Sequence, residues 1–278
     1  MLAQITLIVW RESVEALLVV GILHAWLAHN GARTGLRFLW GGVAAGILAA
    51  VALSVLLVRF AASLPPEGQE YFQAFLIFFA CILIVQMVLW MRRHGRRMKQ
   101  DLESGLASSA QSGRWWGVFA IAALAIAREG SEAVIFLQGM IAAAGAGGFL
   151  DIAGGTALAL AAAAATYGLL QFGGRFLSWP LFFLITEAML LCLACALLVT
   201  GIGYLVSFGY LPYTDPVWDS SAVLDDAARF GGFVAALTGY RAQPDIVTIA
   251  TWLVYWSAIA ALLRIQARPR RQGELAAS

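Results

Sequence analysis

The sequence predicts an all-α integral membrane protein with seven transmembrane helices, built as an inverted repeat of two three-helix halves plus one C-terminal helix. Three observations lead there. The 278 residues are 61% hydrophobic and only 12% charged, with a mean hydropathy of +0.80, whereas soluble domains run near ~45–50% apolar and ~25% charged. Seven apolar runs reach the length of about 20 residues that a helix needs to cross the hydrocarbon core. A short charged pattern, RESVEA at 11–16, also recurs as REGSEA at 128–133.

The seven spans fall at 2–28, 37–62, 71–91, 115–143, 150–173, 180–206 and 245–265. The first is not a cleaved signal peptide, because it lacks a basic start and carries Arg11, Glu12 and Glu15 where such a segment is uncharged. The whole chain, 1–278, reads as one transmembrane domain. Its repeat halves are about 1–91 and 115–206, followed by an outer amphipathic segment at 207–244 and helix seven at 245–265. Three crossings per half is an odd number, so the second half enters from the opposite side, as in transporters whose site lies near the midplane between the halves. The helix after each charged motif begins with paired glycines, Gly41-Gly42 and Gly154-Gly155.

Orientation follows the arginines and lysines. Thirteen of the 18 fall on one side: Arg33 and Arg37, the run from Arg92 to Arg114, Arg175, and Arg264 to Arg271. Glu67, Glu70, Asp151, Asp215, Asp219, Asp225, Asp226 and Asp245 all fall on the other. The N-terminus is therefore expected outside and the C-terminus in the cytoplasm, in a cytoplasmic (inner) membrane. The net charge of +2 hides a basic inner and an acidic outer face, which suits a lipid bilayer under a potential and excludes nucleic acid as a partner. The linker at 92–114, which contains His94, reads as a topology anchor.

Helical spacing puts Glu12 and Glu15 on one face, with Arg11 one turn before Glu15, and Arg128, Glu129 and Glu132 repeat the arrangement. Each ionised group at mid-membrane costs about 2.5–3.5 kcal/mol even on the lenient insertion scale, so six of them do not face lipid. Four carboxylates and two guanidiniums leave a formal charge of −2, which a cation would neutralise. Carboxylate oxygens are hard donors that suit magnesium, calcium, manganese and ferric iron, whereas copper(I) and zinc favour sulfur or imidazole. Ferric iron gains most from clustered carboxylates. The alternative, a static ion-pair lock between helices, does not explain duplication or the two-carboxylate surplus.

The paired R-E-x-x-E motifs, the seven-span layout and the stretch PVWDSSAVL…GYRAQP before the last helix resemble the high-affinity iron permease family, the oxidase-dependent iron transporters, in its bacterial form. The resemblance covers nearly the whole chain. It implies a transporter rather than an enzyme, with iron as transported substrate and no tightly bound cofactor. It implies a ferroxidase or periplasmic iron-donor protein as partner, and Glu12, Glu15, Glu129 and Glu132 as transport ligands balanced by Arg11 and Arg128.

Other residues carry open readings. Glu187 is an exit ligand, a proton carrier or a helix–helix hydrogen bond. DSSAVLDDAARFGGFVAAL reads as an amphipathic surface helix capped by Asp219 or Ser220. Its Asp219, Asp225 and Asp226 form either an iron-capture or docking surface or a plain solvated face. Cys81, Cys192 and Cys195 read as small buried hydrophobes, and His24 as a packing residue. A di-iron oxidase would use Glu-x-x-His, and none of His24, His29 or His94 stands three residues after a glutamate. A permease for ferrous iron, manganese or lead has the same ligand preferences.

Overall fold

The computed structural model describes residues 2–94, 115–144, 149–172 and 179–267. Most of the basic anchor at 92–114, with Arg175 and Arg268 to Arg271, lies outside the described residues. Long apolar stretches without internal proline propagate as helices, and seven result: α1 (Leu2–His29), α2 (Arg33–Ser63), α3 (Pro66–His94), α4 (Trp116–Ala144), α5 (Phe149–Phe172), α6 (Trp179–Ser207) and α8 (Ile246–Ala267). A short α7 (Arg229–Thr238) precedes α8. No strand forms among the described residues beyond one antiparallel bridge between Pro216 and Asp245.

Five of these helices, α2, α3, α5, α6 and α8, are long and apolar enough to cross a membrane. The other two long helices, α1 and α4, are the ones that carry three charged side chains each in mid-helix. Their environment differs accordingly. The outer surface of α2 exposes Ile47, Leu48, Val51, Val55 and Leu56, a continuous apolar strip that water would penalise and hydrocarbon would not. By contrast α1 buries Arg11, Glu12 and Glu15 and α4 buries Glu129, and the chain is a multi-pass helical membrane protein.

The packing is interleaved. Helix α2 packs most extensively on α4, α5 on α1, and α3 on α6, while α1 and α4 touch directly. The glycine pairs explain the first two contacts. A Cβ added at Gly42 would stand 2.5 Å from the Phe119 carbonyl oxygen of α4, and one at Gly155 would stand 3.0 Å from Ile5 Cγ2 of α1. Small residues let helix backbones approach closely where lipid supplies no hydrophobic drive to associate. One apolar core joins Ile5 and Ile8 of α1 to Ile77 and Ile84, Phe136 and Met140, Leu190 and Ala194, and Tyr255 and Ile259. A second joins Leu23 and Leu27 of α1 to Leu39, Val118 and Ala122. The first charged motif falls on α1 between these two cores.

The outer segment departs from expectation. The helix expected to start at Asp219 or Ser220 begins only at Arg229, with Ala228 at its N-cap and no side-chain cap. Residues 219–228 form turns because their own acids capture the backbone. Asp219 Oδ1 accepts from the Ser221 N–H at 2.8 Å, and Asp225 Oδ1 from the Ala227 N–H at 2.9 Å. Such local bonds compete with helix formation. Ser220 is tied instead to Tyr240 and to the Ala242 carbonyl, which clips the loop onto the approach to α8.

Candidate cation site

Arg11, Glu12 and Glu15 project from α1 into the contact with α4, and only 2%, 3% and 5% of their surfaces are exposed. Arg11 Nη1 donates to Glu12 Oε1 at 2.8 Å, and its Nη2 lies 2.5 Å from Glu15 Oε1. The second is a charge contact without aligned hydrogen-bond geometry, so Glu15 Oε1 keeps no hydrogen-bond donor. The planar fork thus spans both carboxylates, which a lysine ammonium could not do in one plane. Arg11 Nη1 also meets Met87 Sδ of α3 at 2.7 Å.

The second motif sits differently. Arg128 Nε donates to Glu132 Oε1 at 2.9 Å, and the guanidinium lies 4.2 Å from the centre of the Trp90 ring of α3. The Arg128 side chain is 37% exposed and that of Glu132 is 15% exposed. Both line a cavity of about 320 Å³ with Leu83, Gln86, Met87 and Trp90. Glu129 is buried and does not line it.

Three of the four expected ligands therefore meet. Carboxylate oxygens of Glu12, Glu15 and Glu129 lie within 4.8 Å of one another. Three oxygens that share one hard cation at bonds of ~2.0–2.6 Å stand about 3–4.5 Å apart, so the triad is within a small adjustment of holding one. Glu12 Oε2, Glu129 Oε2 and Glu132 Oε2 are buried with no hydrogen-bond partner, a state that costs free energy unless a counter-charge completes it. With every group ionised, three carboxylates and Arg11 carry −2, while Arg128 and Glu132 cancel. The surplus sits on the triad.

The remaining residues separate from this site. Glu187 of α6 is buried and paired with Arg92 of α3, Arg92 Nε donating to Glu187 Oε2 at 2.7 Å. Asp219 also accepts from the Gln243 side chain at 2.9 Å. The bonds from Ser221 and Gln243 hold its carboxyl below the usual range. Asp219 and Asp225 are thus both engaged in shaping the outer loop, and Asp226 is half-buried there. Cys81 Sγ donates to the Ala194 carbonyl, and His24 packs edge-on against Trp40. Sequence reasoning missed Met87, Trp90 and Arg92 as neighbours of the charged residues. Gln86 offered a signal, being a lone amide in the apolar run ACILIVQMVLW.

A multi-pass helical membrane protein with a buried, cation-deficient carboxylate cluster between two core helices belongs to the class of membrane ion permeases. The chain belongs to the Iron permease FTR1 family, which matches it over residues 2–269. It is 29% identical over 272 residues, 95% of each chain, to the ferrous iron permease EfeU of Escherichia coli O6:H1. To the Yersinia pestis ferrous iron permease EfeU it is 27% identical over 268 residues, covering 95% of this chain and 93% of the relative. No solved structure matches.

Proposed function

We propose that this permease takes up iron across the cytoplasmic membrane, N-terminus outside and C-terminus in the cytoplasm, and that Glu12, Glu15 and Glu129 are its central ligands. The buried triad between α1 and α4 carries this reading. An inverted repeat of two three-helix halves accounts for the interleaving: α2 on α4 and α5 on α1 are the same contact made twice, each through a glycine of the pair that follows a motif helix. It also accounts for two R-E-x-x-E motifs meeting at one site.

Ferric iron is the translocated form in this proposal, delivered by a ferroxidase or periplasmic iron-donor protein. The charge balance makes a requirement of it. The triad with Arg11 carries −2 and suits a divalent ion, so a trivalent ion calls for Glu132 to leave Arg128 and join the triad, bringing it to −3. A second reading, ferrous uptake, draws support from the unassisted −2 and from the names of the Escherichia and Yersinia relatives. Radioiron uptake into proteoliposomes, with ferric citrate against ascorbate-reduced iron, separates them. Ferric transport that falls much further than ferrous transport in Glu132→Gln supports the first reading; ferrous transport alone in the wild type supports the second.

A further inference from the structure

We propose that the cavity lined by Gln86, Met87, Trp90, Arg128 and Glu132 is the inner vestibule of the cation path, and that Trp90 is the positioning residue that holds its gate shut. An arginine that is 37% exposed within the membrane, paired with a glutamate that is 15% exposed, does not face hydrocarbon without cost, so the space they line is aqueous. The cavity of about 320 Å³ has polar partners for ordered water in Gln86, Arg128 and Glu132. Its position gives the direction. Trp90 stands four residues before the end of α3 at His94, about 6 Å along the helix at 1.5 Å per residue. That end leads into the basic loop, so the vestibule opens toward the basic, cytoplasmic face.

Met87 joins the vestibule to the first motif. It lines the cavity, and its sulfur touches Arg11 Nη1, the same nitrogen that donates to Glu12. Methionine is flexible and repacks readily, which suits a wall that must yield. Arg128 is held from two sides, by Glu132 at 2.9 Å and by the Trp90 face at 4.2 Å. When Arg128 lies against Trp90 and Glu132, the carboxylate is engaged and the guanidinium stands at the vestibule wall. When Arg128 moves, Glu132 is freed toward the triad and the wall opens.

The inference rests on the permease reading, but its test does not need iron. Full-length protein with Cys81, Cys192 and Cys195 replaced by serine carries Gln86→Cys or Met87→Cys. It is reconstituted in one orientation and treated with a membrane-impermeant thiol reagent from either side. Gln86→Cys should label from the basic side only. Met87→Cys should label slowly, and about tenfold faster when Trp90→Ala removes the cation–π contact, with Trp90→Phe restoring much of the slow rate. Labelling of Gln86→Cys only by a lipid-soluble reagent, or disulfide-linked dimers through it, would show a lipid-filled groove or an interface between copies and overturn the vestibule. Slow Met87→Cys labelling in the wild-type and Trp90→Phe backgrounds and fast labelling in Trp90→Ala, or in Trp90→Leu should the alanine variant not fold, support Trp90 as the holder through its aromatic face; equal rates in all backgrounds overturn it. A Phe variant as fast as Ala overturns that role. Absence of iron transport by the wild-type protein, with the labelling pattern as expected, would count against the permease reading alone.

Discussion

The two R-E-x-x-E motifs differ at two middle positions in sequence and much more in their surroundings. Arg11 is 2% exposed and bridges two carboxylates, whereas the Arg128 side chain is 37% exposed, binds one, and rests on an aromatic ring beside a cavity. Three glutamates form the cluster and the fourth stands at the cavity wall. A duplicated motif therefore does not produce a duplicated half-site. What divides the roles is the set of neighbours on α3, with Met87 against the first arginine and Trp90 against the second, because α3 packs on α4 and α6 rather than along α1.

The largest test of this division is removal of single carboxylates. Glu12→Ala, Glu15→Ala and Glu129→Ala should each lower iron uptake by more than about tenfold, since even outer-shell partners of a metal ligand are worth ~10–100-fold. Glu132→Ala should lower it less for a divalent ion. Equal losses at all four positions, measured as initial rates at matched protein level, would erase the distinction between cluster and wall.

The arginines come next, with stability in detergent as the readout. Arg11→Leu leaves two carboxylates unpaired in the core, a change worth about 3–5 kcal/mol where a buried pair is broken from one side. Arg128→Leu breaks a pair whose arginine is 37% and whose glutamate is 15% exposed, and should cost less than Arg11→Leu does. Arg11→Lys keeps the charge and loses the fork, so it should impair uptake more than Arg128→Lys does. A reversed order would place the structural charge on the second motif.

A smaller effect comes from exchanging the motifs' middle residues. Gly130 occupies the place that Ser13 holds in the first motif, and a Cβ there would stand 2.7 Å from Ala50 Cβ of α2. Gly130→Ser should destabilise by the ~1–3 kcal/mol of an overpacked site. Ser13→Gly should cost only the ~0.5–1 kcal/mol of a helix-interior glycine. Thermal unfolding of both variants checks this, and an equal cost would mean that α2 yields at Ala50.

Much of this arrangement is legible in the amino-acid sequence. Apolar length alone places the seven long helices among the described residues, because a chain without internal water to satisfy its backbone has few options but a helix. The motif glutamates are legible as well, since charge inside an apolar run needs a reason. The vestibule is not legible. Met87 and Trp90 look like ordinary membrane-facing residues until α3 is placed beside the motif helices, and the Arg92–Glu187 pair joins positions 95 residues apart. The outer helix fails for a local reason. Asp219 and Asp225 are good cap residues and equally good turn residues, and the competition is decided by Gln243, Tyr240 and Ala242 arriving from beyond α7.

The smallest expected effect lies outside both motifs and sets a baseline for them. Asp245 precedes α8, and its Oδ1 accepts from the Thr248 N–H at 2.9 Å, the geometry of a helix cap. Burial alone would raise its pKa, but the bonds from Thr248 and Thr214 outweigh it and hold the carboxyl below its ordinary value. A depressed folded-state pKa means that the carboxylate contributes stability above the unfolded value of about 3.9. That contribution is lost as pH falls through the lower folded value. Asp245→Ala should therefore cost the ~0.5–2 kcal/mol of a missing cap at neutral pH, and the gap to wild type should narrow below about pH 4. Protease cleavage of the outer loop, followed against pH, reads this opening locally. Uptake should change little, since Asp245 lies in neither motif. A variant that lost uptake as the motif glutamates do would tie the outer loop into the transport path and remove the baseline.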